Sequence, residues 1–224
     1  MTRMIDIKEY KEFMGIVSFP EFEEEYYVVN GSEEYCYVGQ AVYNYQTREH
    51  KLRLPSNTQV PKYLLFHELT HILDAEIHAN GEKIHDFCLS GYMEYHASQV
   101  ELMAMVGAKS VKEVLSFSMN DLIGTEWTVR KYVENKLDTA KALIGCFDTE
   151  KRISGLGALF NFFGLKSVCA MFAKDFVEDY RYQEVLDKMS SLLFAELRRS
   201  MNGWVEDIDN AIILYSHAYK NVTE

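Results

Sequence analysis

The chain has 224 residues and a formal net charge of −11, with 34 acidic side chains against 23 lysines and arginines. Chains of this length form one large domain or two small ones. The acidic balance argues against nucleic acid as the main partner, because a phosphate backbone needs a cationic protein face. Apolar residues at 48% and aromatic residues at 13% supply enough buried surface for a folded core, which excludes a disordered chain.

The N-terminus and the cysteines favour a cytoplasmic protein. The first 19 residues carry charged side chains throughout and lack the apolar centre of a signal peptide. The four cysteines are scattered without a CxxC pair, so a disulfide framework is not expected. The most apolar stretch, residues 153–173, contains Asn161 and Lys166 near its middle. We interpret it as two buried helices hinged at Gly164 rather than as a membrane span.

A short N-terminal helix and a small antiparallel sheet are predicted for about the first 55 residues. Asn30-Gly31 is a strong hairpin signal directly after the first of four candidate strands. Pro55 ends the last of them. The candidates are rich in β-branched and aromatic residues or alternate in polarity, and they lie at 25–29, 34–38, 40–45 and 51–54.

Two helices and then a helical half are predicted for the rest of the chain. Apolar residues with a helical period predict a helix over 61–79, and Ser90 is a candidate cap for a second helix over 90–105. Further helices follow, with breaks expected at Gly124, Gly145, Gly164 and Gly203. We therefore predict an α+β fold with a metal-site domain at 1–107 and a helical domain at 108–224. That second half is a candidate surface for homo-oligomer formation.

One motif carries chemistry, the HExxH sequence from His67 to His71. Residues four apart lie on one helix face, so His67 and His71 can present ring nitrogens to a single metal ion. Glu68 lies one residue further round the helix, where it can reach a water on that ion without being a ligand. Two imidazoles, an open position for water and a carboxylate base are what a zinc hydrolase needs.

A third protein ligand must complete such a site, and the sequence leaves several candidates open. The pattern with a third histidine six residues after His71 fails, because that position is Ile77. Glu94 follows His71 by 23 residues, enough for a turn and an antiparallel helix to return to the metal. Ala97 and Ser98 after it permit close helix packing and a polar contact to a ligand histidine. The other candidates are Glu101, His96, His85, Asp86 and Asp74, and Asp74 is also a candidate hydrogen-bond partner of His71.

HExxH followed by a glutamate in an ExxA/S pattern resembles the gluzincin zinc metallopeptidases. The small cytoplasmic bacterial and phage-borne peptidases of the ImmA/IrrE type are the most similar in scale. The resemblance covers about residues 51–106 and implies a sheet followed by a metal-binding helix pair. It implies His67, His71 and Glu94 as Zn²⁺ ligands and Glu68 as the general base of peptide hydrolysis. Many gluzincins have an aspartate four residues after the ligand glutamate, where this chain has Ser98.

The expected function is hydrolysis of a peptide or protein substrate by a zinc-activated water. The alternative is a regulatory module that keeps the metal helices without turnover. An extended substrate would pair with an edge strand at 40–45 or 51–54. A donor to the oxyanion is also needed. The candidates are Tyr92, Tyr95, His96, Arg181 and His217.

Overall fold

The computed structural model describes residues 7–29, 39–124, 126–178 and 191–224. These residues form a mixed α+β structure, as the sequence predicts. Its elements in chain order are α1 (Lys8–Met14), β1 (Glu23–Tyr27), β2 (Gln40–Asn44), β3 (Glu49–Pro55), α2 (Lys62–His78), α3 (Lys83–Met105), β4 (Leu122–Ile123), β5 (Trp127–Thr128), α4 (Val129–Ile144), α5 (Thr149–Phe172), α6 (Ser191–Ser200) and α7 (Ile208–Thr223).

The N-terminal sheet is mixed, so the prediction of an antiparallel sheet is wrong. Strand β3 is central, with β1 parallel on one side and β2 antiparallel on the other. Sequence neighbours usually pair, but here β1 skips β2. Leu52 and Leu54 explain the central place of β3, because both are buried and need cover from both sides. The hairpin at 30–31 and the strand at 34–38 lie outside the described residues.

Helix α2 packs between the sheet, α1 and α3. Its buried apolar face includes Phe66, Leu69 and Ile72. Tyr10 of α1 meets this helix through a hydrogen bond between its hydroxyl and that of Thr70 at 3.0 Å. These contacts fix the rotation of α2 about its axis, and so they decide which way its polar residues point.

Helix α3 begins at Lys83, seven residues before the predicted start, and Ser90 is not its cap. The carboxylate of Asp86 accepts hydrogen bonds from the amides of Asn80 and Gly81 at 2.9 and 3.1 Å. This closes the turn after α2 and allows the next helix to start at once. Ser90 instead donates to the carbonyl of Phe87 within the helix.

Helix α5 is continuous, which corrects the predicted pair of helices hinged at Gly164. A Cβ on Gly164 would lie 2.2 Å from the carbonyl oxygen of Tyr95. The glycine therefore permits close packing of α5 on α3 rather than a hinge. By length and composition alone α5 could cross a membrane, but 67% of its most apolar window is buried inside the protein.

The buried core runs without interruption across Gly107, where the sequence places a domain boundary. Helix α3 packs on α2 and also on α5 and α7. Its polar side chains cross this boundary too, since Gln99 donates to the hydroxyl of Ser167 at 2.8 Å. The division into 1–107 and 108–224 stays a prediction.

Candidate metal centre

The two histidines of the HExxH motif lie on the part of α2 that faces α3. His67 and His71 are separated by one helical turn, and their Nε2 atoms approach to 3.1 Å. Both side chains are largely buried, with exposed fractions of 10% and 13%. The apolar contacts that anchor α2 therefore leave both imidazoles pointing at the same point in space.

Glu94 approaches the same point from α3. Its Oε2 lies 3.6 Å from Nε2 of His67 and 3.7 Å from Nε2 of His71. Gly157 of α5 passes beside it, because a Cβ there would lie 3.8 Å from Oε1 of Glu94. The antiparallel return of α3 brings this carboxylate back to the histidines, as the spacing predicts.

These three donor atoms have the spacing of a tetrahedral zinc site. Zinc–ligand bonds of about 2.0–2.1 Å at tetrahedral angles place ligand atoms about 3.3 Å apart. The observed separations are 3.1, 3.6 and 3.7 Å, and the group is the one set of convergent metal-binding side chains found among the described residues. Two imidazoles and one carboxylate would leave a fourth position open on a tetrahedral ion.

Electrostatics hold opposite charges together at this point in the metal-free protein. Burial lowers the pKa of His67, but the close carboxylates of Glu101 and Glu94 outweigh it and raise that pKa to about 10. Burial raises the pKa of Glu94, but the two histidines outweigh it and lower that pKa to about 2. A metal cation would take the place of the His67 proton.

Glu101 lies beside His67, and its exposed fraction is 0%. Its Oε2 lies 2.7 Å from Nδ1 of His67, on the opposite side of the ring from the convergent Nε2. These two buried atoms make no well-aligned hydrogen bond. Tyr132 of α4 donates its hydroxyl to Oε1 of Glu101. Glu101 is therefore not a third ligand, and its carboxylate lies where it can orient a ligand.

Glu68 borders a cleft of about 440 Å³ that also exposes His67, His71 and Glu94. Its Oε2 accepts a hydrogen bond from the amide of Ala41 at 2.7 Å. Ala41 belongs to β2, and residues 39–43 form one side of the cleft. Among the described strands β2 lies at an edge of the sheet and β3 is central, so 51–54 is not an edge strand.

The structure places the remaining ligand candidates elsewhere. His96 pairs with Asp74, whose carboxylate oxygens both lie 2.9 Å from Nδ1. His85 lies beside Asp86, which holds the turn between α2 and α3. None of these four belongs to the convergent group among the described residues.

Two predicted supporting contacts are wrong. Ser98 donates to Oδ1 of Asn161 instead of orienting a histidine, because it faces α5. Asp74 is occupied by His96 rather than by His71. The carboxylate that lies at Nδ1 of His67 is Glu101. It follows Glu94 by seven residues on the same helix face, and this spacing could have identified it from the sequence.

The oxyanion-donor candidates that lie in the described part of the chain do not line the cleft. Tyr95 donates to the carbonyl of Gly203, Tyr92 packs on His78, and His217 is exposed on α7. His96 is engaged by Asp74, as above, and Arg181 lies outside the described residues. Lys136 of α4 and Asn161 of α5 line the cleft instead. Their positions depend on how the helical half packs, and no local motif marks them.

Comparisons with protein-family models, with curated proteins and with solved structures find no match to this chain.

Proposed function

We propose that this protein is a zinc-dependent peptidase with His67, His71 and Glu94 as metal ligands and Glu68 as general base. The observation that carries the proposal is the convergence of three ligand atoms at a cleft that also contains Glu68 and β2, an edge strand of the sheet that the described strands form. The resemblance to gluzincin peptidases of the ImmA/IrrE type rests on the same residues.

Zinc suits this donor set better than other available ions. Two imidazoles with one carboxylate and one open position are typical of catalytic zinc, whereas magnesium and calcium prefer oxygen ligands alone. Zinc bound here would supply a Lewis acid and would lower the pKa of a water ligand to about 7.

Glu68 would take the proton from the attacking water and pass it to the leaving amine. Its carboxylate is held by the amide of Ala41 and faces the cleft beside the ligands. Because it lies outside the convergent ligand group, it is free to accept a proton.

The substrate would lie extended along β2. One edge of this strand pairs with β3, and residues 39–43 line the cleft. A peptide added to that edge would gain main-chain hydrogen bonds and present its carbonyl near the metal ligands. Lys136 and Asn161 lie on the helical side of the cleft, where they could donate to the developing oxyanion.

Metal content and cleavage test the proposal together. The purified protein should contain stoichiometric zinc, and zinc added after chelation should raise the melting temperature. A peptide library digested with and without a chelator, and analysed by mass spectrometry, should show zinc-dependent cleavage.

Glu68→Gln separates catalysis from simple metal binding. The variant should keep wild-type zinc content and lose cleavage, because an amide cannot accept the proton. Zinc binding without cleavage by the wild type would support the regulatory alternative. Absence of zinc binding would reject the metal centre altogether.

A further inference from the structure

We infer that Glu101 and Tyr132 are positioning residues, which hold the His67 imidazole with its proton on Nδ1 and its Nε2 directed at the metal. The inference rests on the metal-binding part of the proposed function and goes beyond it. It makes α4, a helix of the C-terminal half, part of the machinery that sets metal affinity.

The first step is the burial of the Glu101 carboxylate. A buried charge is costly unless it is paired and hydrogen-bonded, and Glu101 is completely buried. Its two oxygens face the hydroxyl of Tyr132, which donates to Oε1, and the ring of His67, whose Nδ1 lies 2.7 Å from Oε2. Both neighbours suit an ionised carboxylate, which can only accept hydrogen bonds.

The second step is the direction in which His67 must point. A neutral imidazole has one N–H and one lone pair, and the hydrogen bond at one nitrogen decides which atom binds a metal. Nδ1 lies 2.7 Å from the acceptor-only Oε2 of Glu101, which favours the proton there. The lone pair is then on Nε2, the atom that converges with His71 and Glu94.

The third step is the contribution of Tyr132. Its hydroxyl donates to Oε1 of Glu101, so the two carboxylate oxygens are divided between Tyr132 and His67. Lys136 lies one helical turn further along α4, with its ammonium 5.7 Å from the centre of the Tyr132 ring. Tyr132 thus fixes the rotation of the carboxylate, which in turn fixes the imidazole.

Glu101→Gln tests this chain of contacts. The Tyr132 hydroxyl would hold the amide oxygen and turn the amide NH₂ toward Nδ1 of His67. Nδ1 would then have to accept, and the proton would move to Nε2, where it blocks metal binding. We expect the zinc dissociation constant, measured by competition with a chelator, to rise by about 10–100-fold.

Tyr132→Phe and the double variant sharpen the test. Tyr132→Phe alone should raise the dissociation constant by less than Glu101→Gln does. Combined with Glu101→Gln it should partly restore zinc affinity, because the amide can turn and offer its oxygen to Nδ1. Long-range ¹H–¹⁵N NMR of the metal-free proteins, recorded at a pH high enough for the His67 ring to be neutral, should show the matching change of tautomer.

Glu76→Gln is the matched control. Glu76 also lies beside a histidine, with Oε2 3.2 Å from Nε2 of His50, but neither residue belongs to the convergent group. This variant should bind zinc as the wild type does.

Two outcomes would overturn the inference while leaving the zinc site intact. One is a zinc dissociation constant in Glu101→Gln within twofold of wild type, even if the melting temperature falls. The other is a neutral His67 ring that still carries its proton on Nδ1 in the metal-free Glu101→Gln variant. If Glu101→Gln does not fold, unchanged affinity and tautomer in Tyr132→Phe would overturn it. A wild-type protein that binds no zinc would overturn the proposed function as well.

Discussion

At the scale of single residues, His67 links protonation, metal binding and stability. In the metal-free protein the carboxylates around it raise its pKa to about 10, whereas an unfolded histidine has a pKa of about 6.5. Its contribution to stability is therefore complete below about pH 6.5 and is lost as the pH rises toward 10. If zinc binds as proposed it would take the place of this proton, so the zinc-bound protein should not lose that contribution.

The expected result is a pH-dependent effect of zinc on melting. Between pH 6.5 and 8.5 the melting temperature of the metal-free protein should fall by at least about 4 °C. Each pH unit between the two pKa values removes up to about 1.4 kcal/mol of stability, and each kcal/mol shifts the melting temperature by about 2–4 °C. The rise in melting temperature that one equivalent of zinc produces should become larger over the same pH range. Calorimetry with and without chelator measures both, and a metal-free curve that is flat across this range would contradict the prediction.

Lys136 is the second residue with a testable role. Its ammonium lines the cleft and contributes to lowering the pKa of Glu94. If it also stabilises the oxyanion, Lys136→Met should lower kcat by about 100-fold or more with little change in KM. Lys136→Arg should retain more activity. Zinc content is the control and should stay at the wild-type level, while an unchanged kcat would exclude this role.

The convergence of His67, His71 and Glu94 could be predicted from the sequence, but the residues packed around them could not. HExxH and the spacing to Glu94 are local helical patterns, so their geometry follows from the helix period. The sequence offers Glu101 only as one of several candidate ligands, whereas the structure places it outside the convergent group of the described residues. The role inferred for it depends on Tyr132, which is 31 residues away in sequence and adjacent only after α4 packs against α3.

At the scale of elements, the crossing of α3 and α5 depends on Gly164. Its Cβ position lies 2.2 Å from a backbone oxygen of Tyr95, which cannot move aside as a side chain can. Gly164→Ala should therefore destabilise the protein by about 2–3 kcal/mol. Chemical denaturation followed by circular dichroism measures this change.

Gly157→Ala on the same helix is the matched control. Its nearest neighbour would be Oε1 of Glu94 at 3.8 Å, an ordinary contact. The substitution should be neutral or stabilising by up to about 1 kcal/mol, because alanine favours a helix over glycine. Equal effects of the two substitutions would contradict the packing role assigned to Gly164.

Sequence patterns predict which elements exist better than how the elements pair. The three described strands and α2 lie close to their expected positions, because periodicity and turn residues are local signals, whereas α3 begins seven residues before its expected start. The parallel pairing of β1 with β3 depends on burial of Leu52 and Leu54 in the assembled core, which no local pattern shows. Gly164 was expected to be a break for the same reason, since a glycine at a helix crossing and one at a hinge are identical in sequence.

At the scale of the whole molecule, α3 belongs equally to both halves of the chain. One face carries Glu94 toward α2, and the other carries polar residues toward the helical half. Ser98 bonds to Asn161 and Gln99 to Ser167 across this interface. Cutting the chain near Gly107 would separate these partners and would expose to solvent the face of α3 that is buried against the helical half.

We therefore expect that residues 1–107 do not fold alone. The fragment would lose the apolar cover of α5 and α7 on α3, and Glu101 would lose the Tyr132 hydroxyl. Its thermal unfolding, followed by circular dichroism, should show no cooperative transition, whereas the full chain should show one. Its zinc affinity should also be weaker by at least the factor of about 10–100 expected when a supporting contact is removed. A fragment that melts cooperatively and binds zinc as tightly as the full chain would instead establish 1–107 as a domain, and would show that the metal centre needs nothing from the helical half.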